Sequence, residues 1–222
     1  MVVSVRNLSF DYGDSGATVL NIPRWSVEPC ERVFLHGPSG AGKSTLLNLL
    51  SGILLPKTGT VEILGHTINA MSGGQRDKWR ARHIGIVFQQ FNLIPYLSAA
   101  DNIKLAAYFA GSGKVHERAH NLLNRLNIDE SERRRPAAQL SIGQQQRVSI
   151  ARAMINQPEL LIVDEPTSAL DRENREIFMS LLLEQVKLNQ TALVFVSHDL
   201  SLASSFPRVD SLMDINQKAG AY

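Results

Sequence analysis

Residues 37–45 read Gly-Pro-Ser-Gly-Ala-Gly-Lys-Ser-Thr, and no other stretch restricts the possible folds of this chain as tightly. The apolar run 32–36 precedes it and the apolar segment 46–50 follows it, so the pattern predicts a strand, a tight turn and a helix. Gly37, Gly40 and Gly42 allow the backbone to curl until successive N–H groups point inward at anionic oxygens. The helix that follows adds its positive N-terminal end. Pro38, Ser39 and Ala41 complete the loop, and Thr45 closes it. Lys43 can reach the β- and γ-phosphates of a nucleotide, and the Ser44 hydroxyl can ligate magnesium. A plain glycine-rich turn before an ordinary helix is the competing reading. The placement of strand and helix favours the phosphate loop.

Composition agrees with a compact enzyme-like chain. Its 222 residues are 44% hydrophobic and 20% charged, enough for one domain or a domain with a subdomain. The net charge of +2, from 23 basic and 21 acidic residues, gives no reason to expect nucleic acid or an anionic membrane as a partner. Cys30 is the single cysteine; it cannot form an internal disulfide and reads as a small half-buried apolar residue in a reducing compartment. Residues 1–7 alternate like a strand and lack a signal-peptide block. No apolar run approaches the roughly 18 residues that a membrane span requires. These features predict a soluble, cytoplasmic chain.

The order of segments predicts an α/β fold. Residues 2–10 and 19–27 read as an antiparallel pair of strands joined by a turn over 11–16. Strand-like runs recur at 32–36, 59–64, 84–88, 160–163, 192–196 and 209–215, with a long helix over 172–189. From 98 to about 156 the periodicity is helical, with stripes such as Leu122, Leu123, Leu126 and Ile150, Ala153, Met154. A mostly parallel sheet covered on both faces follows, with an inserted helical subdomain over about 98–156 of a single domain spanning 1–222. Arg133, Arg134 and Arg135 read as a solvated loop.

Two further segments suit a phosphate site. The apolar run 160–163 leads into Asp164 and Glu165. A carboxylate at a strand's C-terminal end can hold magnesium through water, which suits Asp164, and Glu165 can polarise a water for attack on the γ-phosphate. A buried strand with polar end residues is the plainer alternative. Residues 140–147 read Leu-Ser-Ile-Gly-Gln-Gln-Gln-Arg, in which Ser141 and Gln144 form a capping box at a helix start. That helix start is also an anion site, so the structural and functional readings join.

Taken together, these motifs resemble those of ATP-binding-cassette (ABC) ATPases, over residues 2 to about 205. Residues 37–45 resemble Walker A, 160–165 Walker B, 140–144 the signature motif and 168–171 the D-loop with Asp171. Gln89 resembles the Q-loop glutamine, His198 the switch histidine and Tyr12 the aromatic that stacks on adenine. The resemblance implies a P-loop NTPase core with an N-terminal antiparallel β subdomain and an inserted helical subdomain. It also implies ATP and Mg2+, bound by two copies packed head to tail. Each nucleotide lies between one copy's Walker A and the other's Ser141, Gly143 and Gln144. Ser44, Gln89 and Asp164 then arrange magnesium, Glu165 is the general base or water-polariser, and His198 contacts the γ-phosphate. Taken alone, Gln89 and His198 read better as a surface residue and a satisfied loop histidine than as catalytic groups; for Tyr12 a packing aromatic is the lesser alternative to adenine stacking.

The segment 79–98 is similar to the lipoprotein-release and macrolide-efflux group of these ATPases. Such a subunit works peripherally on the cytoplasmic face of the inner membrane. Its integral membrane permease partner docks on the residues after Gln89, here from Phe91 onward to Leu97. That stretch is too apolar to be left in solvent, so a core or a partner must cover it. An ABC ATPase of a division-linked or other non-transport complex is the alternative. Two departures stand out. Ile142 occupies the usual glycine position of the signature and must take an ordinary backbone conformation. Residues 209–217 lack the usual glycine-containing final hairpin, with no consequence assigned. Residues 116–120, His-Glu-Arg-Ala-His, match a zinc-protease motif, but no obvious third ligand follows and the segment reads as a solvated helix face.

Overall fold

The computed structural model describes residues 1–13, 18–113, 115–167 and 170–217. Its elements begin with β1 (Val3–Phe10), β2 (Leu20–Val27), β3 (Arg32–His36), α1 (Lys43–Leu50), β4 (Thr58–Ile63), β5 (His66–Thr67) and α2 (Gly73–His83). Then come β6 (Ile84–Val87), α3 (Ala99–Ala110), α4 (Val115–Arg125), α5 (Glu130–Arg133), α6 (Ile142–Met154) and β7 (Leu160–Asp164). α7 (Arg172–Leu188), β8 (Ala192–Val196), β9 (Arg208–Ser211) and α8 (Leu212–Ile215) follow. Two compact units form, one from Met1–Asp77 with Ala192–Tyr222, the other from Lys78–Thr191.

In the first unit, β2, β1, β4 and β5 make an antiparallel sheet in that order. Beside it, β8 and β9 flank β3 in parallel, with Leu35 opposite both Val196 and Asp210. The apolar run at β8 is buried throughout, as are the middle residues of β3, which fits strands covered on both faces. Phe34 packs against Phe195 and Phe206 with ring centroids 6.0 and 5.4 Å away. Burying each ring contributes about 2–3 kcal/mol, so β3 and β8 are firmly placed relative to each other.

In the second unit, β6 and β7 pair in parallel, Val87 opposite Val163. Gly85 lets α6 lie directly over β6: a Cβ there would stand 2.5 Å from the Ala153 carbonyl oxygen. Ala99, Ile103, Ala107 and Ala110 form the buried stripe of α3, and Ala119, Leu122 and Leu123 that of α4. The expected α/β architecture is borne out, with parallel strand pairing, the antiparallel N-terminal sheet and a run of helices from α3 to α6.

Several expectations are corrected. The strand over 209–215 ends at Ser211, whose Oγ accepts the Met213 N–H and starts the short helix α8. Cys30 is exposed, at φ 60 in the turn between β2 and β3, not half-buried. Arg133 is buried and donates twice to the Ile128 carbonyl, so only Arg134 and Arg135 of that run are solvated. α2 was not anticipated, because none of its residues is buried and it has no apolar stripe to read. Part of the turn over 11–16, and Ser168 and Ala169 of the D-loop segment, lie outside the described residues.

Candidate nucleotide site

The phosphate loop leaves the C-terminal end of β3, and the adjoining ends of β8 and β9 frame it. Gly40 at φ 76 and Gly42 at φ 104 supply the left-handed conformations that curl the backbone. Gly37 has no positive φ; it is a close-approach position, where a Cβ would lie 3.4 Å from that of Leu212. Lys43 is buried and its ammonium donates to the carbonyls of Gly37 at 2.9 Å and Pro38 at 3.1 Å, folding back over the loop. Ser44 is exposed at the start of α1. Gly42 is the N-cap of α1 and makes no side-chain cap bond to it, and the first turn holds no acidic residue. By contrast α3, α6 and α7 begin on side-chain caps, Ser98, Ser141 and Asp171. An uncapped, positively polarised helix start with a lysine beside it fits a polyphosphate and its cation.

Tyr12 and His198 lie in the same unit. The Tyr12 hydroxyl is 2.9 Å from Thr45 Oγ1, its ring meets Phe10 edge-on at 5.0 Å, and the side chain is 65% exposed. A tyrosine face is therefore open to a base while its hydroxyl is tied to the phosphate-loop helix. His198 is exposed just past the end of β8, where Ser197 donates its N–H to Leu35 of the neighbouring strand. The end of β3 that carries the loop and the end of β8 that carries the histidine are thus adjacent.

The second unit holds the remaining candidates. Gln89 follows β6 and Asp164 ends β7, so both emerge from the same end of one parallel pair. Glu165 sits at φ 43, a left-handed conformation that costs a non-glycine residue about 1–2 kcal/mol. Residues held in sparsely populated backbone conformations cluster at functional sites. The capping box at α6 is complete: Ser141 Oγ accepts the Gln144 N–H at 3.3 Å, and Gln144 Oε1 accepts the Ser141 N–H at 2.7 Å. Gln144 also donates to Glu132. Ile142 is the first residue of α6 and 54% exposed, an ordinary helical position for a branched side chain. A Cβ on Gly143 would lie 3.5 Å from Asn174 Oδ1 at the start of α7. Asp171 caps that helix, its two oxygens accepting from the Asn174 N–H and Nδ2 at 2.8 Å each. These hydrogen bonds hold its carboxyl below the usual range, the backbone bond contributing most.

The sequence pattern missed the residues that shape the loop after Gln89. Phe91 and Asn92 both have positive φ, and Arg152 of α6 donates to the Phe91 carbonyl at 2.6 Å and to that of Asn92. Asn102, 2% exposed, accepts the Ile94 N–H at 2.7 Å and donates to the carbonyls of Ile94, Leu97 and Ser98. An asparagine inside the apolar stripe of α3 was the available signal. Tyr96 is 78% exposed, so the stretch is only partly covered.

His116 and His120 are exposed on α4, and His120 Nδ1 meets Asn124 Nδ2 at 3.2 Å. Among the described residues no group of His, Cys, Asp and Glu could hold a metal ion without added ligands.

A family model described as ABC transporter matches residues 20–168. The chain belongs to the ABC transporter family. This ABC chain is 40% identical over 207 residues to the macrolide export ATP-binding/permease protein MacB of Chromobacterium violaceum, which covers 92% of the chain and 32% of that protein. The Hahella chejuensis MacB is 38% identical over 214 residues, with 96% and 32% covered. The chain spans about a third of the length of the curated relatives it matches. The solved post-hydrolysis dimer of the ATP-binding cassette MJ0796 bound to ADP and Pi superposes with a TM-score of 0.86 at 34% identity, covering 99% of this chain and 100% of that one. The cbiO1 structure from Clostridium perfringens superposes at 0.84 and 30% identity, with 95% of this chain and 84% of that chain covered. Among the described residues no helix is long and apolar enough to cross a membrane.

Proposed function

We propose that this chain is an ABC ATPase cassette that binds Mg-ATP through residues 37–45 and powers an export, lipoprotein-release or efflux transporter. The uncapped start of α1, with Lys43 as its first residue, carries this reading. The loop and helix N–H groups bind the phosphates, and Lys43 turns from the carbonyls of Gly37 and Pro38 to their charge. Tyr12 stacks on the adenine. Ser44, Gln89 and Asp164 all offer oxygen ligands, the donor set a hard cation takes. Magnesium, when bound there, neutralises charge on the transferred phosphoryl group. Glu165 orients and polarises the attacking water, and His198 contacts the γ-phosphate. Such positioning and electrostatic stabilisation is most of what phosphoryl transfer asks of a protein.

In this reading residues 1–222 form one cassette, with about 98–156 as its helical subdomain. A second cassette, packed head to tail, presents Ser141, Gly143, Gln144 and Asp171 to the opposite nucleotide. An integral membrane permease occupies residues 91–97, a stretch supported from behind by Arg152 and Asn102. The cassette then works peripherally on the cytoplasmic face of the membrane. Titration with a fluorescent ATP analogue tests the phosphate site. Lys43→Ala is expected to weaken binding at least tenfold, the scale of a lost charge-assisted phosphate contact. Unchanged affinity overturns the assignment.

A further inference from the structure

The segment after β9, which departs from the expected glycine-containing hairpin, meets the phosphate loop at one end and β2 at the other. At one end, Leu212 is fully buried where a Cβ on Gly37 would meet its own Cβ at 3.4 Å. At the other end the connection runs through β2. Asn216, 6% exposed, accepts the Asn21 N–H at 2.7 Å with Oδ1 and donates Nδ2 to the Val19 carbonyl at 3.1 Å. A carboxamide carries the same donor and acceptor as a peptide group, so this side chain pairs with β2 as a strand would. Gln217 extends the pairing: its N–H donates to the Asn21 carbonyl at 2.8 Å, and Asn21 Nδ2 donates to the Gln217 carbonyl at 2.7 Å.

Between the two pinned residues lies Leu20, which pairs with Phe10 across the sheet. Its side chain is fully buried against Gly42: a Cβ there would stand 2.9 Å from Leu20 Cδ2 and 3.3 Å from Val19 Cγ1. Gly42 is the left-handed residue from which α1, and Lys43 with it, begins. We infer that Asn216 is a positioning residue for nucleotide binding, holding Val19 and Leu20 as the floor on which Gly42 and the start of α1 rest. The glycine of a hairpin could not do this, because it has no carboxamide to span β2. Asn216 touches no nucleotide; it acts on ground-state binding through the loop, so its loss is felt in affinity rather than in turnover.

The inference rests on the assignment of residues 37–45 as the phosphate site, which Lys43→Ala tests separately. In the chain as it stands, Asn216→Ala is expected to raise Kd for the fluorescent ATP analogue and KM for Mg-ATP about fivefold, the size of one net hydrogen bond, with kcat within about twofold. Asp210→Asn is the control. Asp210 accepts from Trp25 Nε1 at 2.7 Å and pairs with Arg208, so it also ties β9 to β2, but away from Val19 and Leu20. It should lower the melting temperature and leave KM unchanged. Where Asn216→Ala does not fold, Asn216→Ser carries the test: it adds no charge and is too short to span from Asn21 to Val19. Parent-like KM in the folded Asn216 variant, or an equal rise in Asp210→Asn, overturns the inference. If Lys43→Ala weakens binding while Asn216→Ala does not, the phosphate site stands and this inference alone fails.

Discussion

Gln146, 1% exposed in α6, donates Nε2 to the carbonyl of Pro166 at 2.8 Å. That bond ties the signature helix to the turn that holds Glu165 at its positive φ. A left-handed glutamate persists only where its surroundings over-determine it, and Gln146 is one of the groups that do so. Gln146→Leu, similar in volume, leaves the Pro166 carbonyl buried without this donor, at a cost of about 1–3 kcal/mol. The melting temperature should fall, and kcat should fall further than KM rises, because Glu165, in its proposed role of orienting water, is no longer fixed. Thermal melts and steady-state ATPase assays check this.

Gly42 is where the loop tolerates least. Gly42→Ala adds a Cβ 2.9 Å from Leu20 at φ 104. The conformation alone costs an alanine about 1–2 kcal/mol, before the clash is counted. Nucleotide binding should be lost or weakened at least tenfold, as read by the same fluorescent titration. Gly40→Ala should be milder, since a Cβ there meets nothing within 4 Å among the described residues.

Tyr12 offers two separable contacts. Tyr12→Phe removes the 2.9 Å hydrogen bond to Thr45 but keeps the ring. Tyr12→Ala removes both. If the ring stacks on adenine, the alanine variant loses about 1–3 kcal/mol of nucleotide affinity and the phenylalanine variant little of it. Equal losses in the two would make Tyr12 a structural tie to Thr45 instead. Comparing ATP with inorganic triphosphate isolates the base contact.

Asp171 gives a pH signature. Its carboxyl sits below the ordinary value of 3.8 because the Asn174 N–H and amide favour the charged form. A depressed carboxylate contributes its stability in full above the ordinary value and loses it as pH falls through the lower folded one. Asp171→Ala should therefore melt earlier than the parent at neutral pH, with the gap closing on acidification below 3.8. Asp171→Asn keeps an uncharged cap, so it should lack that acid-dependent component. Melting curves over an acid pH series check both.

The readable parts of this chain were those whose chemistry is local. A phosphate loop needs glycines, a lysine and a hydroxyl in consecutive positions, and the strand before it needs an unbroken apolar run, so 32–45 could be read directly. The Ser141–Gln144 capping box is equally local and forms as its spacing predicts. Features set by distant partners were not readable. Residues 212–215 are apolar enough for a strand, and only the Ser211 cap and the pairing of Asn216 with β2 turn them into a helix and a clamp. Arg152 and Asn102 donate to carbonyls 60 and 8 positions away, respectively, and no local pattern marks those targets. The His116–His120 spacing shows the converse, a good local match that lacks a tertiary third ligand among the described residues.

ATP hydrolysis by the parent chain and by Glu165→Gln, measured side by side with Mg-ATP, tests the central claim most directly. The account predicts turnover in the parent, none in the variant, and accumulation of an ATP-bound dimer in the variant by size-exclusion chromatography. Parent-rate hydrolysis by Glu165→Gln would contradict it.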